Sequence, residues 1–174
     1  MRTLASQPRI VHLLEPMVLN KWIVLAGFLA ASFTAAALGG WATAAGRRSW
    51  YQTLVKPSWS PPDAVFGPVW TLLFVLMSVA AWRIWLHRDE PRVATSVGAF
   101  FGQLGLNVAW PVLFFGLRRP GMALGEILVL WGVLAWMQVR FWGLDAVAGW
   151  LWLPYFLWVT FACALNMATW KLNS

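Results

Sequence analysis

The sequence predicts an all-α integral membrane protein, a bundle of five transmembrane helices with a structured first loop. Three observations carry this. Of its 174 residues, 60% are hydrophobic and only 11% are charged, where a soluble globular domain holds about 25% charged residues. The apolar residues gather into five runs with few or no charges, each near the ~20 residues that a membrane-crossing helix needs. The runs do not alternate in polarity, unlike the ~10-residue segments of a transmembrane β-barrel, and in lipid a helix satisfies its own backbone.

The chain divides into residues 1–20, an extension, and residues 21–172, the bundle. Pro8, His12, Glu15 and Pro16 interrupt the extension, so it lacks the apolar core of a signal peptide and reads as exposed or interfacial. The first span covers 22–45, and Gly39-Gly40 weaken its end. Then comes WYQTLVKPSWSPPDAVFGPVW, Trp50 to Trp70. Its rings and its prolines (Pro57, Pro61, Pro62, Pro68) suggest a shaped cover, not a slack linker. Pro61-Pro62 cannot lie inside a helix but suit its start, so the second span covers 63–86. A charged turn from His87 to Arg92 leads to the third span, 93–117. Arg118-Arg119-Pro120 turns the chain into the fourth, 120–141, and Gly143-Leu144-Asp145 into the fifth, 146–170. An odd number of spans places the two termini on opposite sides. The positive-inside rule does not orient the bundle, because the two sides carry seven and six Lys/Arg.

Much chemistry is excluded. Cys163 stands alone, which rules out an intrachain disulfide or a thiolate metal cluster. His12 and His87 lie outside the spans, and there is no HExxH, CxxC, GxSxG or P-loop. The sequence thus implies neither metal nor cofactor. No pair of intramembrane carboxylates runs a proton relay, which argues against an ion pump. The net charge of +7 is dispersed, with no basic run longer than two residues. It fits charges flanking membrane spans, not a nucleic-acid surface.

The candidate site residues are polar or aromatic groups inside the spans. Asn107 must find a partner, either a neighbouring helix or a ligand. Trp110 and Phe114 share its face at i+3 and i+7. Trp158, Ala162 and Leu165 share a face of the fifth span, just after Pro154, which is expected to kink or loosen that helix. Trp22, Trp41, Trp50, Trp59, Trp150, Trp152 and Trp170 are placed for an interfacial belt, whereas Trp110, Trp131 and Trp158 are not. A cavity of indoles and one amide suits a large, flat, apolar ligand with few polar edges. Glu126, the one acid well inside a span, is expected to pair with Arg119 or snorkel near the headgroups; the alternative is a bond to a neighbouring helix. Ala94, Gly98 and Gly102 form a small-residue stripe that suits either a homodimer or packing within one chain. Gly121 and Gly125 form another.

WYxxLxKPSWxPP followed by FGPVW resembles the first loop and second helix of the TspO/translocator protein family, the tryptophan-rich sensory proteins. GQLGLNVAWPVLFFG (102–116), RRPGMALGE (118–126) and LPYFLWVTFACALN (153–166) agree with it in order and spacing. The resemblance covers about residues 22–172. It implies a five-helix, usually dimeric membrane protein that binds porphyrins such as protoporphyrin IX and synthetic benzodiazepine-site ligands beneath the first loop. The matching positions are Trp50, Tyr51, Phe66, Trp70, Asn107, Trp110, Trp158, Ala162 and Leu165. Bacterial members resembling this chain promote light- and oxygen-dependent porphyrin breakdown, and the positions matching their implicated tryptophans are Trp70 and Trp158. The dimer stripe would be Ala94, Gly98 and Gly102. Some members of the family bind cholesterol. Met167 stands near the place where the sterol motif has tyrosine, which argues against tight cholesterol binding.

The expected function is therefore a porphyrin-binding membrane protein that senses or lowers porphyrin levels. The alternatives are a transporter or channel for lipophilic solutes, or a ligand-responsive scaffold.

Overall fold

A computed structural model describes residues 20–47 and 50–174. Most of the proposed extension, residues 1–19, lies outside the described residues. Helix α1 (Lys21–Arg47) leads to the short α2 (Trp50–Thr53), then α3 (Asp63–Leu86), α4 (Pro91–Pro111), α5 (Pro120–Leu144) and α6 (Ala146–Leu172). Five of these helices are long and apolar enough to cross a membrane. The shared core is built from α3, α4, α5 and α6, where Met77, Phe100, Leu134, Met137, Phe141 and Trp152 are fully buried. Helix α1 joins it through Phe28 and Ala35, and a bond from Ser78 Oγ to Ser32 Oγ at 2.7 Å ties α1 to α3.

Helix boundaries follow local chemistry. Pro91 and Pro120 open α4 and α5 at first-turn positions, where a missing N–H costs nothing. Asp145 caps α6 by accepting from Ala148 N–H at 3.0 Å. Arg83 reaches the same carboxylate at 2.8 Å and His87 at 3.4 Å, so one acid joins the end of α3 to the α5–α6 turn. Helix α5 runs to Leu144, three residues past the expected end of the fourth span. Helix α6 continues unbroken through Pro154.

The third span ends unlike any other. After Pro111, Val112–Gly116 form a π-helical turn, closed by Leu117 N–H to the Val112 carbonyl at 2.8 Å. Arg118 follows in the left-handed region, φ 56°. The widened turn brings α4 against the end of α1. A Cβ on Gly46 would overlap the Phe115 carbonyl, so only glycine admits this approach.

Two expectations change here, and one of two open alternatives closes. Trp152 is not an interfacial belt residue: it is fully buried and packs on Phe141 and Tyr155 at 4.8 and 5.4 Å. Glu126 does not pair with Arg119; both its carboxylate oxygens are buried with no hydrogen-bond partner among the described residues. Ala94, Gly98 and Gly102 do not pack within the chain, because all three are exposed and no atom lies within 4 Å of a Cβ built on either glycine.

Candidate functional site

A cavity of about 180 Å³ opens between α3, α4 and α6 beside the first loop. Its aromatic wall is Phe66 and Trp70 from α3, Trp110 and Phe114 near the end of the third span, and Trp158 from α6. Tyr51, Phe115, Ile127, Leu130, Val159, Ala162 and Leu165 complete the apolar surface. Phe66 meets Trp158 edge-on at 5.8 Å and Trp110 stacks on Phe114 at 5.0 Å, which holds the rings in place. Thr43, Asp63, Asn107, Asn166 and Thr169 supply the polar edge.

Eight of the nine positions singled out from the sequence line this one cavity: Tyr51, Phe66, Trp70, Asn107, Trp110, Trp158, Ala162 and Leu165. The ninth, Trp50, stands behind the wall and packs edge-on against Phe114 at 5.7 Å. The face spacing along each helix accounts for this convergence, since residues at i, i+3, i+4 and i+7 share a side.

Sequence reasoning missed the polar groups that orient the wall. Asn107 Nδ2 donates to Tyr155 Oη at 2.8 Å, and Tyr155 Oη donates to Gln103 Oε1 at 2.8 Å. Trp110 Nε1 donates to Asn166 Oδ1 at 2.9 Å, and Asn166 Nδ2 donates to the Pro120 carbonyl at 2.9 Å. Tyr155 and Gln103 are fully buried, so the bond between them is made where water cannot replace it. A signal was available: Gln103 lies four residues before Asn107 in an otherwise apolar span, and two amides on one face within a span need partners.

The first loop is fastened over the cavity. Asn173, just beyond α6, accepts from Val55 N–H at 2.9 Å and donates to the Val55 carbonyl at 2.9 Å. Lys56 Nζ lies 3.9 Å from the centre of the Tyr51 ring, and Trp59 meets Phe161 edge-on at 5.8 Å. The stretch expected to be a cover is thus tied to α6 at both Val55 and Trp59. Among the described residues no group of three His, Cys, Asp or Glu could hold a metal ion. What the cavity offers is stacking surface and a few hydrogen-bonding groups.

Residues 28–171 match the TspO/MBR family. The chain belongs to that family. Relatives within reach include a protein CrtK of Rhodobacter capsulatus, 38% identical over 72% of this chain and 79% of its own. The human translocator protein is 38% identical over 71% of this chain and 75% of its own. A tryptophan-rich protein TspO of Chlorobaculum tepidum is 40% identical over 72% and 80%. The TspO/MBR match reaches every helix that builds the cavity, from about two turns into α1 to the last turn of α6. As a member of this family with five candidate spans, the protein is a multi-pass membrane protein.

Proposed function

We propose that this protein binds a flat, apolar tetrapyrrole of the protoporphyrin IX type beneath its first loop, and so senses or lowers porphyrin levels in its membrane. The observation that carries this reading is the wall of Trp70, Trp110 and Trp158 gathered around Asn107. Indole faces stack on a macrocycle, and the few polar groups at the cavity edge, Asn107 and Asn166 among them, suit its sparse polar edge. Synthetic benzodiazepine-site ligands, also flat and apolar, would use the same surface. The cavity of about 180 Å³ is below the roughly 300–1,000 Å³ of sites for drug-sized ligands. Binding therefore displaces the loop, and the Asn173 and Trp59 contacts are the ones that open.

Trp70 and Trp158 are the candidates for light-driven chemistry. A photo-excited macrocycle takes an electron from an adjoining indole and passes it to dioxygen as superoxide. The indole radical cation recovers an electron from the macrocycle, and the macrocycle radical cation combines with superoxide. The net change is addition of dioxygen to the porphyrin with the indole restored. Titration of protoporphyrin IX against tryptophan fluorescence in detergent tests binding, and illumination of the complex in air tests breakdown. A Trp70→Phe/Trp158→Phe variant is expected to bind more weakly and bleach more slowly. Unchanged affinity and unchanged bleaching would overturn the reading. Saturable porphyrin flux into liposomes that survives in this variant would favour a transporter.

A further inference from the structure

The lysines and arginines at the two ends of the bundle are not used alike. At the end away from the first loop, each described one has a partner. Arg83 holds Asp145 at 2.8 Å, and Arg92 lies 3.6 Å from Glu90. Lys21, Arg88 and Arg140 lie over the rings of Trp22, Trp85 and Trp136 at 5.3, 4.8 and 5.0 Å. At the loop end Lys56 lies over Tyr51. Arg118, Arg119 and Lys171 are exposed there. Among the described residues their side chains have no ion pair, ring contact or hydrogen bond.

Two contacts bring these three to one rim. Gly121, two residues after Arg119, faces Trp170 so closely that a Cβ would stand 3.1 Å from the indole, and Lys171 follows Trp170. Asn166, on the cavity wall, donates to the Pro120 carbonyl at 2.9 Å. The α4–α5 turn and the last turn of α6 thus meet at the edge of the cavity, which Phe115 and Thr169 line from either side. Arg118 stands there at a cost. Its φ of 56° is the conformation that glycine usually supplies at a helix end, and a larger residue holds it under strain. Arg119 N–H closes the same turn on the Leu113 carbonyl at 3.0 Å.

The rim is therefore cationic and the cavity beneath it mostly apolar. Asp63, the one acid among the described residues that line the cavity, is already engaged. A macrocycle that enters ring-first leaves its carboxylates at the rim. An arginine there offers a carboxylate a forked match, and a lysine a point charge. A neutral ring of the same shape gains nothing from either.

We propose that Arg118, Arg119 and Lys171 form a carboxylate-binding rim that selects acidic tetrapyrroles over their neutral esters. This rests on the tetrapyrrole reading above and adds the charge of the ligand to it. Cations at the mouth of a cleft also speed the capture of an anion, and salt screens that gain. Stopped-flow quenching of tryptophan fluorescence tests the rim, with the full chain in discs of phosphatidylcholine, which keep anionic headgroups away from it. Protoporphyrin IX is compared with its dimethyl ester at low and at high salt. The diacid is expected to associate about tenfold faster than the ester at low salt, and to lose that advantage at high salt. Arg118→Gly/Arg119→Gln/Lys171→Gln should erase the advantage and leave the ester unchanged. All three positions are exposed, and glycine accepts the Arg118 backbone. An advantage that survives in the variant, or equal association of the two ligands with the wild type at low salt, would overturn the rim alone. Absence of quenching by either ligand would overturn the tetrapyrrole reading and the rim with it.

Discussion

Tyr155 gives its hydroxyl proton to Gln103, and this bond sets which way Asn107 faces. Met77 Sδ, 3.7 Å from Gln103 Nε2, can accept but not donate. Gln103 therefore turns its nitrogen to the sulfur and its oxygen to Tyr155. The Tyr155 oxygen is left to accept from Asn107 Nδ2, and Asn107 Oδ1 remains for the cavity. Gln103→Leu removes the acceptor, so the Tyr155 proton turns to Asn107 Oδ1. The expected cost is about 1–3 kcal/mol of stability, with a selective loss of affinity for ligands that bring an N–H to that edge. Parallel titrations of a ligand and its N-methyl analogue check this; equal loss for both would reduce Gln103 to a packing role.

Asn173 governs how readily the first loop opens. Its two bonds to Val55 are each worth about 0.5–1.5 kcal/mol net. Asn173→Ala should raise the open population severalfold. Faster amide exchange at Val55 and a matching rise in the ligand association rate are the expected outcomes. An unchanged exchange rate would show that Trp59 and Lys56 hold the loop unaided.

Asp145 makes the helix-end junction sensitive to acid. Burial pushes its carboxyl pKa up, but the Ala148 N–H, Arg83 and His87 outweigh this and hold it below the ordinary 3.8. A carboxyl lowered in the folded state stabilises that state above its ordinary value, and this contribution fades as pH falls through the lowered one. The thermal midpoint in detergent should therefore drop below about pH 4. Asp145→Asn keeps a capping oxygen but loses the charge, and should flatten that part of the profile.

Glu126 is a cost to the fold. A buried polar group without a partner costs about 1–3 kcal/mol, and both Glu126 oxygens are in that position. Glu126→Leu should stabilise the protein by about 1 kcal/mol, read as a higher unfolding midpoint. A lower midpoint would reveal a partner for the carboxyl.

The spans were legible because crossing lipid demands long apolar runs, and prolines such as Pro91 and Pro120 mark where helices begin. The cavity residues were legible because helical spacing puts Trp158, Ala162 and Leu165 on one side wherever the neighbours stand. The side each helix turns inward is set by packing, which hydropathy along a line does not record. That is why Trp152, one ring among many near a helix start, was assigned to the interface and is buried. Asn173 escaped notice because its partner lies 118 residues away, and Glu126 because pairing with Arg119 depends on rotation about α5.

The π-helical turn at Val112–Gly116 works as a phase shifter. Neighbouring residues of an α-helix point about 100° apart, yet Phe114 and Phe115 are both buried. The wider turn lets both rings face the ligand cavity, while Phe115 also packs against Gly46 of α1. Removing one residue from this turn would restore an ordinary helix and rotate one of the two rings outward, reshaping the cavity through register alone.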